Sequence, residues 1–268
     1  MALAPLAMKV NLQEELTEQL NIEEVFSFKI GGVTIGFDES TVVSWIIIAA
    51  LTLIAFLLTR NLKVEGEISK RQALLELVYT KAEEFFKGIM GPKVEKFIPW
   101  LMSMALFIGT SNVIGIFGLK PPTKSMQVTA GMAITSIILV EYCSFKDKGV
   151  FGRIKAFTKP TPVITPINIM EVFTKPLSLC MRLFGNVIAA FTIMEMIKAV
   201  VPVVIPVALS LYFDIFDGLL QAYIFVFLTA LYLQEAVETE EEDQSKQLKK
   251  AEKKAKKQAK KAAKKSAA

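Results

Sequence analysis

One cation stands where none is expected: Arg182, in the run LSLCMRLFGN, lies inside an otherwise apolar stretch. A lone arginine at the centre of a bilayer costs from ~3 to above 10 kcal/mol, so it must face a partner or a hydrated space. Snorkelling from a helix end is the plain alternative, but about seventeen residues of the same helix follow it. Ser178 is one turn before and Asn186 one turn after, so the three share a face. Gly185 gives another helix room to approach.

A second polar stripe runs down the last apolar segment. Ser210, Asp214, Asp217 and Gln221 fall on one side at 100° per residue, and Glu235 rejoins that side further on. Two carboxylates and an amide on a membrane helix need water, a counter-charge or each other; an aspartate pair touching headgroups at an outer mouth is the bland reading. Glu195 lies about 20 Å along the helix from Arg182 and on another side, too far to neutralise it. Glu171 and Glu141 stand near the opposite ends of their segments and could line an inner aqueous vestibule or simply be solvated.

Composition narrows the chemistry. The 268 residues contain no histidine, which removes imidazole relays and HExxH zinc sites. No GxxxxGK[ST] and no GxGxxG after a strand occurs, so a bound nucleotide is not expected, nor a cofactor or metal. Cys143 and Cys180 have no CxxC spacing and sit in apolar stretches, as buried fillers do. The apolar fraction of 53% and mean hydropathy of +0.45 indicate a membrane protein.

These residues need helices to hold them. The expected fold is all-α and polytopic, with spans at about 41–58, 97–118, 125–144, 167–200 and 203–235. The last two are longer than a helix along the bilayer normal requires, which predicts strong tilt. An amphipathic interfacial helix is expected within 60–96. Residues 1–40 read as an extracytoplasmic N-terminal segment without a signal peptide, and 236–268 as an acidic, then lysine-rich, cytoplasmic tail.

That tail explains the net charge of +5. Residues 246–268 hold eleven lysines and one acid, so the other 245 sum to −5. Lysine and arginine number eight in 59–96 and five in 145–161, against two each in 1–40 and 119–124. The positive-inside rule therefore puts the N-terminus outside and the C-terminus in the cytoplasm; the expected location is a bacterial inner (cell) membrane. A nucleic-acid role has no aromatic or motif support; the tail reads as a solvated or helical extension.

Taken in order, GGVTI at 31–35, TVVSWIIIAA at 41–50, SNVIGI at 111–116, PPTKSMQVT at 121–129, IMEVFTKPLSL at 169–179, RLFGN at 182–186 and QAYIFVFLTALYL at 221–233 closely resemble subunit a of the F-type ATP synthase membrane sector. The resemblance covers about residues 24–235. It implies a stator subunit that forms two offset ion half-channels against a ring of c subunits, and couples proton or sodium translocation to rotation for ATP synthesis. It implies the b subunits of the peripheral stalk and the remaining synthase subunits as further partners, and no enzyme activity for this chain alone. Arg182 would be the arginine facing the ring, with Ser178, Asn186 and Gln221 in support. Asp214, Asp217 and Glu195 would serve the outer half-channel, and Glu171 and Glu141 the inner one. Phe191 departs from the pattern, since relatives commonly carry glutamate or histidine nine residues after the arginine. Two other readings compete: a secondary transporter binding a small anion at Arg182, against which the lack of internal repeats counts, and a structural anchor, which leaves the arginine unexplained.

Overall fold

The computed structural model describes residues 24–30, 33–63, 69–117, 119–158, 163, 165–200 and 204–237. The acidic block at 238–243, the lysine tail and the first 23 residues lie outside them, as does Pro202.

Five helical stretches among the described residues are long and apolar enough to cross a membrane. The first is α1 (Glu39–Thr59), uncharged after Glu39. Its large side chains Trp45, Ile46, Ile48, Leu53, Ile54, Phe56 and Leu57 are exposed, which water would penalise and lipid tails do not. Helix α2 (Lys70–Ile89) is amphipathic; the Ser69 hydroxyl caps its first turn by accepting from the Gln72 amide, and Phe86 anchors it in the core. A 3₁₀ turn (Glu95–Phe97) leads into α3 (Ile98–Val113), which has a proline in its first turn.

A 3₁₀ turn follows α3 at Ile114–Phe117, and another at Pro122–Lys124 enters α4 (Met126–Phe157). Past the span expected at 125–144 the helix is broken at Gly149 (φ 67°), a conformation only glycine adopts cheaply, and a second helical stretch continues to Phe157. The long α5 (Thr165–Val200) carries Arg182. After it come α6 (Val204–Ser210), a π-helical segment (Leu211–Asp217) and α7 (218–237).

The core lies among α3, α4, α5 and α7: Leu101, Ile108, Leu179, Leu183, Phe225 and Leu233 are all but inaccessible. Cys143 and Cys180 are buried there as free thiols. The membrane body is thus all-α and polytopic, as the sequence indicates. Ahead of it stands an antiparallel hairpin, β1 (Glu24–Ile30) and β2 (Val33–Asp38), with a register shift between Glu24 and Phe26. Glycines at 31, 32 and 36 favour turns and do not by themselves indicate this pairing.

Candidate functional site

Arg182 lies on the exposed side of α5, in line with Ser178 and Asn186. No carboxylate among the described residues is within ion-pair distance of it. Its guanidinium faces out of the chain, whereas Leu179, Cys180 and Leu183 on the other side of the same turns are buried. The helix therefore spends its apolar side on its own bundle and presents its charge to whatever lies alongside.

Asn186 connects that face to the interior. Its Nδ2 donates to Gln221 Oε1 at 2.8 Å, joining α5 to α7. Gln221 is 1% exposed, and its Nε2 is buried with no partner among the described residues. A buried amide hydrogen left unmatched costs about 1–3 kcal/mol, so the group needs water or a neighbouring acceptor. It borders a partly open cavity of about 500 Å³ that Asp214, Asp217, Ser210, Glu195, Lys198 and Phe191 also line. The structure thus collects the three residues assigned to the outer path, and Gln221, around one space.

The π-helical segment adjusts that gathering. Ser210, Asp214 and Asp217 sit in or beside a wider turn, so the 100° spacing used for the stripe does not hold there. The wide turn carries Asp214 against Gly115, where an added Cβ would lie 3.0 Å from Asp214 Oδ1. Gly218 closes the segment against Asn112: a Cβ there would be 2.8 Å from that of Asn112, whose Nδ2 donates to Gly218 O at 3.0 Å. Thr123 in turn donates to Asn112 Oδ1 at 2.6 Å. SNVIGI and PPT are therefore the mould into which the aspartate turn is pressed.

Neither Asp214 nor Asp217 has an ion-pair partner among the described residues, and both are half-buried. Glu195 pairs with Lys198 at 2.8 Å on the same helix. At the other end of the bundle Lys175 holds Glu235 at 2.8 Å and Glu171 at 3.5 Å, with its Nζ 5.2 Å from the Tyr232 ring. Glu141 stands apart from that trio. Arg153 takes both its oxygens, Nε to Oε2 at 3.0 Å and an Nη to Oε1, and also covers the Phe157 ring. The Gly149 bend brings Arg153 back across Glu141, so this acid is held in an ion pair.

Two members escape a reading by sequence. Asn112 looks like an ordinary polar residue near a helix end; its only signal is the SNVIGI run. Lys124 looks like a loop lysine, yet it is 6% exposed and its Nζ stands 3.7 Å from the Phe191 ring centroid. Burial, and then the like charge of Lys120, bring its pKa down from 10.5 to about 8. No group of three His, Cys, Asp or Glu side chains suited to a metal ion occurs among the described residues.

Five membrane-crossing helices, an outward-facing intramembrane arginine and an acid-lined cavity define a polytopic membrane protein of the ion-conducting kind. Residues 41–234 match the family described as ATP synthase A chain. The chain is 33% identical to "ATP synthase subunit a" of Moorella thermoacetica over 186 residues, 68% of this chain and 82% of that one. It is 31% identical to "ATP synthase subunit a 1" of Chlorobaculum parvum over 184 residues, 68% and 80%, and 28% identical to "ATP synthase subunit a 1" of Crocosphaera subtropica over 169 residues, 63% and 74%. This chain belongs to the ATP synthase A chain family, subunit a of the F-type ATP synthase. It is a multi-pass membrane component of a multisubunit complex that transports ions and makes ATP.

Proposed function

We propose that this chain is the stator side of two offset half-channels that meet a ring of c subunits at Arg182, coupling proton translocation to rotation. The observation that carries the reading is the arginine's placement: charged, within a membrane-crossing helix, facing outward, and without a carboxylate of its own among the described residues. A partner carboxylate in an adjoining subunit is what such a side chain would oppose.

A ring carboxylate that faces lipid keeps its proton, because hydrocarbon cannot solvate the anion; opposite a guanidinium it gives the proton up. Arginine suits the task because it stays charged in surroundings where a lysine could lose its proton. Arg182 then passes only unloaded carboxylates and blocks a direct leak between the half-channels. Gln221 and Asn186 hold the lining of the crossing point, with Ser178 one turn away. Protons reach it from outside through the cavity of Asp214, Asp217 and Glu195, and leave past Glu171 and its partners. Glu141 supports that inner end through its latch to Arg153. A membrane potential supplies ~2.3 kcal/mol per charge per 100 mV to bias the direction.

In this reading the N-terminus lies outside and the C-terminus in the cytoplasm of a bacterial cell. The b subunits of the peripheral stalk hold the chain against the turning ring. The test is Arg182→Ala in the whole complex, reconstituted into vesicles. Loss of ATP-driven proton pumping with the complex still assembled is expected, and coupled pumping that survives the substitution defeats the reading.

A further inference from the structure

Just past the Gly149 break, α4 turns three large apolar side chains to the outside. Val150, Phe151 and Ile154 are 61%, 89% and 58% exposed, and at 100° per residue they share one face of the second helical stretch. That stretch is fastened to the helices on either side of it. Arg153 returns to Glu141 of α4 through two hydrogen bonds, and Asn168 of α5 donates its Nδ2 to the Phe157 carbonyl at 2.8 Å. An unbroken helix would carry Arg153 about 18 Å beyond Glu141, out of reach, so the stretch turns off the axis of α4 at the end of its span. Held against α4 and α5, it cannot fold its apolar face away.

The surroundings are those of a membrane surface. Tyr142 and Phe145 are exposed at the same end of α4, where aromatic rings meet the headgroup level, and Lys146 Nζ stands 5.8 Å from the Tyr142 ring centroid. Segment 145–161 holds five lysines and arginines against one acid, Asp147, which Lys93 between α2 and α3 meets at 3.5 Å. Three apolar side chains fall short of the ~800 Å² per side that a stable protein interface needs. A short apolar stripe among cations suits a bilayer instead, its apolar residues reaching the acyl boundary while an ammonium stays at the phosphates. We propose that the break in α4 is a binding site for an anionic phospholipid, with Lys146 at the headgroup phosphate and Val150, Phe151 and Ile154 against its acyl chains. The site pins the link between α4 and α5, and with it the start of the helix that carries Arg182, to one leaflet. It needs only the membrane-crossing helices and stands whether or not the half-channel reading does.

The test uses the whole complex carrying Phe151→Trp in phosphatidylcholine vesicles, to which phosphatidylglycerol or phosphatidylcholine with brominated acyl chains is added in rising share. Bromine quenches indole emission on contact, so the emission gained over the unaltered complex reports which lipid occupies the face. Half-quenching should need less brominated phosphatidylglycerol than brominated phosphatidylcholine, by on the order of 5-fold for each cation that reaches the headgroup. Lys146→Gln should lower that preference by one such factor and Lys146→Arg should keep it, while high salt should weaken it. Ile154→Trp takes the place of Phe151→Trp if that variant fails to assemble. Equal quenching by the two lipids, or a preference that Lys146→Gln leaves unchanged, overturns the proposal. Emission that neither lipid quenches also overturns it, and shows instead that a protein subunit covers the face.

Discussion

The two ends of the helical bundle use the same kinds of side chain to opposite effect. At the end that holds Glu141, Glu171 and Glu235, every one of these carboxylates has a cation within 3.5 Å, and the cations also lie over the rings of Phe157 and Tyr232. At the other end Asp214 and Asp217, without an ion-pair partner among the described residues, line a cavity beside a Gln221 Nε2 that lacks one, while Glu195 on the same cavity pairs with Lys198. Saturated pairs hold helices in register; unmatched polar groups around a cavity of this size are open to water and, in the proposed reading, exchange protons. Where a carboxylate sits on the chain therefore says less about its task than what the fold sets opposite it.

The largest effect that would sharpen this contrast is expected in the cavity. Asp214→Asn with Asp217→Asn should lower ATP-driven proton pumping by ~100-fold or more, since a single lost proton-transfer group commonly costs that much. Thermal stability should hold or rise, since two half-buried charges are removed. Pumping at the unaltered rate would break the contrast, because the cavity acids would then be as structural as those at the far end. Pumping should be read alongside the melting temperature of the same preparation.

Arg153→Met should behave in the opposite way. Leaving Glu141 without its partner should cost ~1–3 kcal/mol, less than for a fully buried pair because both side chains retain some solvent. Adding Glu141→Gln should recover most of that loss, while pumping per assembled complex changes little throughout. A urea or thermal unfolding series on the single and double variants measures the coupling directly. A loss of pumping without a loss of stability would place Glu141 in the ion path.

Lys175→Gln should give the smallest change. Its acids Glu171 and Glu235 are about half exposed, and such pairs contribute ~0–1 kcal/mol. If pumping nevertheless becomes sensitive to salt on that side, the trio steers ions at the exit as well as tying α5 to α7.

Part of the site is legible in the linear chain because the membrane makes it so. In apolar surroundings a single arginine, and aspartates at intervals of one turn, cannot be incidental, and that alone singles out Arg182, Asn186, Asp214, Asp217 and Gln221. Other parts leave no such trace. Lys124 reads as a solvated loop residue until four helices close over its turn. The Glu141–Arg153 latch depends on a bend at Gly149, since an unbroken helix would carry Arg153 about 18 Å beyond Glu141. The hairpin at 24–38 depends on strand pairing, which the glycines suggest only as turns.

The sequence by itself determines the helical membrane body, the uneven charge of its connecting segments and the presence of an intramembrane arginine, because hydrocarbon penalises charge and unpaired backbone whatever the packing. Tertiary structure decides which carboxylates remain unpaired, that the aspartate turn opens into a π-helix against Asn112 and Gly115, and that a lysine stands behind Phe191. These are matters of what meets what across helices, and a distance of a few ångströms between residues a hundred positions apart has no signature in the order of the chain.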